Sequence, residues 1–258
     1  MLGLALEGGG SRGAYHIGVV KAYLEAGYQF DGFVGTSIGA INAAILAQGE
    51  FEKAEELWAE ISTSQLFDDD ITKLIEYNIL RWDTSVLVNA NNSLKKTMDN
   101  RGIDSSRIRA VINNHIDEEK IRTRGKDLGL VTISILERRP YELFLEDIPK
   151  GYLQSYILAS ASFPGFRPEK IGNQYYMDGA LYNNCPINML INKGYDEIIA
   201  IRTKAPGVFR EIEAPTGVNV KLITPESDLG NIMMFSPERT KETMTLGYQD
   251  GLRSLQNK

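Results

Sequence analysis

Five residues, Gly35-Thr36-Ser37-Ile38-Gly39, constrain this chain more than any other stretch. Residues 30–34 before them are aromatic and β-branched, which predicts a buried strand. Residues 40–47 after them are small helix formers with an apolar face, which predicts a helix. A strand that turns into a helix through G-x-S-x-G holds its serine on a strained corner, with the hydroxyl aimed away from both elements. Gly35 and Gly39, two places either side, let the helix pack back on the strand without a side-chain clash. Ser37 also stands at the helix N-terminus, where partial positive charge favours a developing anion. The same residues suit a plain turn in which Ser37 only caps the helix. The choice between the two rests on the remainder of the chain.

The first forty-eight residues read as a β-α-β-α unit. Leu2–Leu6 predicts a strand, and residues 14–26 a helix with Ile17, Val20 and Leu24 on one face, ended by Gly27. Two strands joined through a helix predict a parallel pair in a sheet covered on both sides. Such a pair delivers both following loops, Gly8-Gly9-Gly10-Ser11-Arg12-Gly13 and the Ser37 turn, to one sheet edge. The glycine loop suits two chemistries. As G-x-G-x-x-G it resembles a dinucleotide-binding turn, which needs an acid at the end of the second strand. That strand ends in Val34-Gly35-Thr36-Ser37, and Asp31 lies at its beginning. Alternatively, the glycines turn backbone N–H groups toward one point as an oxyanion hole, with Arg12 bracing the loop or attracting an anionic head group.

Residues 51–115 read as amphipathic helices forming a cap or a helical layer, with Ala54, Leu57, Trp58 and Ile61 at helical spacing, then Leu74, Ile75, Tyr77 and Leu80. Trp82 and residues 86–88 open a stretch broken by Asn89-Ala90-Asn91-Asn92. Asp68-Asp69-Asp70 lacks the spaced partners of a calcium loop and reads as a helix start. Residues 128–136 and 141–145 predict a hairpin, and 152–161 a helix. The strand 174–177 ends in Asp178-Gly179-Ala180, where an α/β fold presents a catalytic acid or base, although Asp-Gly is also a simple turn signal. A helix at 186–193, strands at 197–202 and 218–223, and a helix at 237–255 complete the chain. The apolar tetrad Ile232-Met233-Met234-Phe235 reads either as a buried plug or as an acyl entrance, where methionine adapts to different chain shapes. No repeat or linker interrupts residues 1–258, so one domain is expected, with the motifs in 1–202 and the last strand and helix in 203–258.

Composition narrows the partners. A net charge of −6 argues against nucleic acid and against electrostatic adsorption to anionic membranes, leaving an apolar peripheral contact. The single cysteine, Cys185, excludes an internal disulfide and a multi-cysteine metal site. No basic leader precedes the glycines and no apolar run reaches the ~20 residues of a membrane span, so a cytoplasmic location is expected. No metal or cofactor is called for, and nothing specifies an oligomeric state. The two histidines, His16 and His115, both precede Asp178, whereas a Ser-His-Asp triad in hydrolase order places its histidine last. A hydrolytic Ser37 would need a carboxylate to activate it.

Taken together, the glycine loop, the Ser37 turn and Asp178-Gly179-Ala180, in that order, resemble the patatin-like phospholipase family. Ala159-Ser160-Ala161-Ser162-Phe163-Pro164 is similar to the family's stretch ahead of its aspartate. The resemblance runs to about residue 202. It implies a three-layer α/β/α sandwich with a mostly parallel central sheet, and metal-free hydrolysis of acyl lipid esters. By the same resemblance Ser37 is the nucleophile, Asp178 the base, and the loop Gly8 to Gly13 the oxyanion hole. Family members often carry Asp where this chain has Glu7. Thioesterase or acyltransferase chemistry on the same pair, a nucleotide-binding module built on the glycine loop, and a catalytically idle adaptor are the alternative readings.

Overall fold

The computed structural model describes residues 1–77 and 102–256. Leu80, Trp82 and residues 86–92, which the sequence singled out, lie outside them. The strands are β1 (Leu2–Leu6), β2 (Gly32–Gly35), β3 (Asp127–Ser134), β4 (Arg139–Phe144), β5 (Glu169–Ile171), β6 (Gln174–Asp178), β7 (Glu197–Ile201) and β8 (Asn219–Ile223). They form one sheet in the order β5-β6-β3-β2-β1-β7-β8, with β4 also paired to β3. From β3 to β8 the neighbours run parallel. The β3–β4 hairpin, β6 and β5 add antiparallel pairs at one side. The three-residue strand β5 has no sequence signal of its own.

Side-chain alternation sorts the sheet into two apolar faces. Leu4, Leu6, Phe33, Leu128, Leu130, Ile199 and Ile201 face the larger core. It is covered by α1 (Ala14–Glu25), α2 (Ile38–Ala47), the helix Phe51–Glu60 and the C-terminal helix Pro237–Gln256. Ala5, Val34, Val131, Ile198 and Ala200 face a thinner layer made by the helix Ile187–Asn192 and Tyr195. The C-terminal helix lies directly on α1. Tyr15 donates to Asp250 at 2.6 Å, and a Cβ on Gly18 would stand 1.9 Å from the Met244 carbonyl oxygen. Asp68 caps its helix by accepting from Ile71 N at 2.9 Å, as a helix start should. No helix among the described residues is long and apolar enough to cross a membrane.

One feature of the sheet positions the site. β4 pairs with residues 129–134 of β3 and therefore occupies one edge of it. β2 pairs with residues 127–130 and β6 with 132–134, so these two share the opposite edge. β2 is parallel to β3 and β6 antiparallel, so their C-terminal ends point at each other. Gly35 lies opposite Leu130 and Asp178 opposite Thr132, two residues or roughly 7 Å of strand rise.

Candidate active site

The turn out of β2 is strained. Ser37 adopts φ 58° and ψ −127°, a conformation that costs a non-glycine residue about 1–3 kcal/mol. It is held from several sides. Its N–H donates to Ser160 Oγ at 3.0 Å, and Thr36 Oγ1 donates to the Asn183 carbonyl at 2.7 Å. A Cβ on Gly35 would stand 2.3 Å from the Gly39 carbonyl carbon, and one on Gly39 2.2 Å from Leu6 O. The strand-to-helix turn therefore closes only with glycine at both places.

Asp178, at the end of β6, is fully buried. Its Oδ1 accepts the Ala180 N–H at 2.8 Å, while its own N–H donates to Ser162 O at 2.9 Å. Burial pushes its pKa up to about 7, against the opposing pull of the Ala180 N–H and of the Ser37 hydroxyl. The hydroxyl is near enough to favour the charged carboxylate, although no hydrogen bond of standard geometry reaches Oδ2 among the described residues. Such contacts are commonly long in the absence of substrate.

The glycine loop abuts the same point, a Cβ on Gly8 falling 3.1 Å from Ser37 Cβ. Its amides are not equivalent. Gly8 N donates to Asn184 O at 3.0 Å, Ser11 N to Ile232 O at 2.8 Å and Arg12 N to Gly9 O at 3.1 Å. Gly13 serves through its carbonyl, which accepts from Asn42 Nδ2 at 3.0 Å. The N–H groups of Gly9 and Gly10 have no partner among the described residues. Both have positive φ, 148° and 54°, which glycine alone tolerates easily. A Cβ on Gly10 would lie 2.0 Å from Ile232 O, so the loop is moulded on the tetrad's backbone.

Arg12 braces rather than recruits. Its guanidinium donates to Gly230 O (2.9 Å), Thr203 O (3.1 Å) and Lys204 O (2.8 Å) and pairs with Asp228 (3.2 Å). Four of its five N–H donors are thus engaged within the fold. Glu7, buried, takes Arg202 Nη2 at 2.7 Å on Oε1 and Lys204 N at 2.9 Å on Oε2. It thereby anchors the 202–204 turn, whose Thr203 hydroxyl holds Gly8 O. The histidines stand apart from these contacts. His16 is fully buried with Nδ1 3.2 Å from Asn42 Nδ2, and burial drives its pKa down to about 3, so it is neutral at ordinary pH. His115 closes the helix Ser106–His115 with Nδ1 on Val111 O.

Ser37, Gly9 and Gly10 open on a cavity walled mainly by apolar side chains, among them Leu57, Trp58, Phe67, Phe166, Met233 and Phe235. Ile232, Met233 and Phe235 of the tetrad are buried and line this cavity, whereas Met234 is half-buried and does not line it. Phe235 stacks on Trp58 with centroids 6.1 Å apart. Sequence reasoning missed Asn184, which is 1% exposed and lines the same cavity. The signal available was its place six residues beyond Asp178, in Asn183-Asn184-Cys185-Pro186.

The sequence profile described as patatin-like phospholipase matches residues 4–191. The chain belongs to the patatin-like phospholipase family. The patatin-like segment includes the glycine loop, the Ser37 turn and Asp178. An uncharacterized NTE family protein of Mycobacterium tuberculosis is 28% identical over 239 residues, covering 86% of this chain and 35% of that protein. Lysophospholipase NTE1 of Coccidioides immitis is 30% identical over 207 residues, covering 78% of this chain and 11% of its own length. This patatin-like chain therefore spans only a minor part of those relatives. The crystal structure of VipD from Legionella pneumophila superposes with a TM-score of 0.61 at 16% identity, over 99% of this chain and 66% of VipD. It shares the patatin-like fold.

Proposed function

We propose that the chain is a serine-dependent lipid acyl hydrolase. Ser37 attacks the carbonyl of a carboxylic ester and Asp178 accepts its proton. The reading is carried by a fully buried carboxylate that faces a strained serine at the mouth of an apolar cavity. The apolar walls suit an acyl chain, and the free Gly9 and Gly10 amides suit the oxyanion of the tetrahedral intermediate. Asp178 returns the proton to the departing alcohol, leaving an acyl-enzyme, then takes a proton from the attacking water and delivers it to the departing Ser37 Oγ as the fatty acid is released. The family's description and a lysophospholipase among the relatives support a lipid ester as substrate. The direct test is a fluorophosphonate probe with short-chain p-nitrophenyl esters in chelator-treated buffer. Labelling at Ser37 with turnover is expected; an unlabelled, inert protein would reject the reading.

The pH profile follows from burial. Only the Asp178 carboxylate can accept a proton, and its pKa is raised to about 7. For short-chain esters kcat/KM is expected to rise about tenfold per pH unit below that value and to level off above it. His16 adds no limb to the curve, since it stays neutral there. A flat profile between about pH 5 and pH 8 would remove Asp178 as the base.

The cavity wall supplies a second prediction. Met233→Ala should lower turnover of long-chain esters about tenfold more than that of butyrate esters, because the lost contacts serve only a chain that reaches them. Met233 and Phe235 are 6% and 7% exposed, so substitution there also removes core contacts. A modest fall in Tm is expected as well. Equal loss on both esters would place Met233 outside the chain-binding surface.

A further inference from the structure

The side-chain amide of Asn184 makes no hydrogen bond among the described residues. Its main chain is fixed, with N donating to Val208 O at 2.7 Å and O accepting from Gly8 N at 3.0 Å. Yet neither Oδ1 nor Nδ2 has a hydrogen-bond partner among the described residues, although the residue is only 1% exposed. A buried polar atom left unpaired costs about 1–3 kcal/mol, and this side chain carries two of them into the wall of the cavity that holds Ser37. Its position is tightly defined. The point where a Gly8 Cβ would sit lies 2.3 Å from Asn184 Oδ1 and 3.1 Å from Ser37 Cβ. On its other side a Gly207 Cβ would lie 2.8 Å from Asn184 Cβ, Cγ and Nδ2. Gly8 and Gly207 are thus the small residues that make room for this amide beside the serine. Because neither atom is bonded, no hydrogen bond opposes a half-turn about Cβ–Cγ that exchanges Nδ2 and Oδ1.

We propose that Asn184 is a third oxyanion donor. Its Nδ2–H group hydrogen-bonds the substrate carbonyl oxygen as negative charge develops there, beside the amides of Gly9 and Gly10. This rests on the reading of Ser37 as nucleophile. A donor of this kind contributes mainly in the transition state, so its loss falls on kcat rather than on KM. A packing role predicts the reverse signature, a loss of stability with kcat preserved in the folded protein.

Asn184→Leu, similar in volume and without polar atoms, separates the two. We expect kcat on a short-chain ester to fall by about 10²-fold, with KM changed by less than about threefold. A trifluoromethyl ketone, which forms an anionic tetrahedral adduct with the serine, should bind weaker by a similar factor. Tm should hold or rise, because two unpaired polar atoms are removed. Retention of kcat to within about threefold overturns the proposal, as does an unaltered affinity for the ketone. Asn184→Ala provides the same reading if leucine does not fit. Failure of both variants to fold assigns the amide to the core and overturns the proposal too. Fluorophosphonate labelling and turnover of the unmodified protein are measured in parallel. A normal wild type beside a fully active Asn184→Leu variant rejects only the donor role, whereas an inert, unlabelled wild type rejects the hydrolase reading itself.

Discussion

Ser37→Ala is expected to lower ester turnover by about 10³-fold or more and to abolish fluorophosphonate labelling, with the fold unchanged. Alanine carries the same Cβ through the same positive φ, so it inherits the strain of the turn without adding any. The N–H bond to Ser160 Oγ uses the backbone and survives the substitution. Gly35 and Gly39, which the turn requires, are untouched. A large kinetic loss with a constant Tm therefore isolates the hydroxyl. Activity kept at the wild-type level in the alanine variant would take Ser37 out of the chemistry altogether.

Asp178→Asn is expected to be as damaging kinetically, about 10³-fold or more, while making the protein more stable near neutral pH. The sign follows from proton linkage. In the native state the carboxyl keeps its proton up to about 7, whereas an ordinary aspartate gives it up near 3.8. Between those values the folded chain binds a proton that the unfolded chain does not. Wild-type stability therefore declines as pH rises across that window and levels off above it. Asparagine is neutral throughout and still offers an oxygen to the Ala180 N–H. Thermal melts should show the asparagine variant's advantage to be small at about pH 4 and largest at about pH 8. An advantage independent of pH would mean that the buried carboxylate carries no desolvation cost.

Much of this arrangement could be read from the chain because its determinants are local. The Ser37 turn needs glycines two residues away, α1 ends at a glycine with φ 86°, and Asp68 caps its own helix. The β3–β4 hairpin alternates visibly and turns within a few residues. The illegible parts are those decided at long range. Among the described residues the Gly9 and Gly10 amides are left free, while Asn184 O and Ile232 O occupy others from the far end of the chain. Arg12 is spoken for by carbonyls near residues 203 and 230. Periodicity reports a strand's existence but not its direction, so the encounter of β2 and β6 on one edge of β3 was invisible until the pairing was known. The second layer was legible in outline, from the parallel pair and the helix expected at 186–193, which the structure makes six residues long.

That encounter also sets when the protein can act. The β1-α1-β2-α2 segment carries the serine and the glycine loop, yet the acid waits on β6. The carbonyl that moulds the loop belongs to Ile232. On the proposed reading, a chain emerging from the ribosome holds Ser37 early, before the β6 carboxylate has docked. The site comes together only when segments separated by most of the sequence have docked on the sheet, the slow, non-local class of contact. On that reading, a copy truncated before β6 would carry Ser37 with no base beside it and would be inert toward esters.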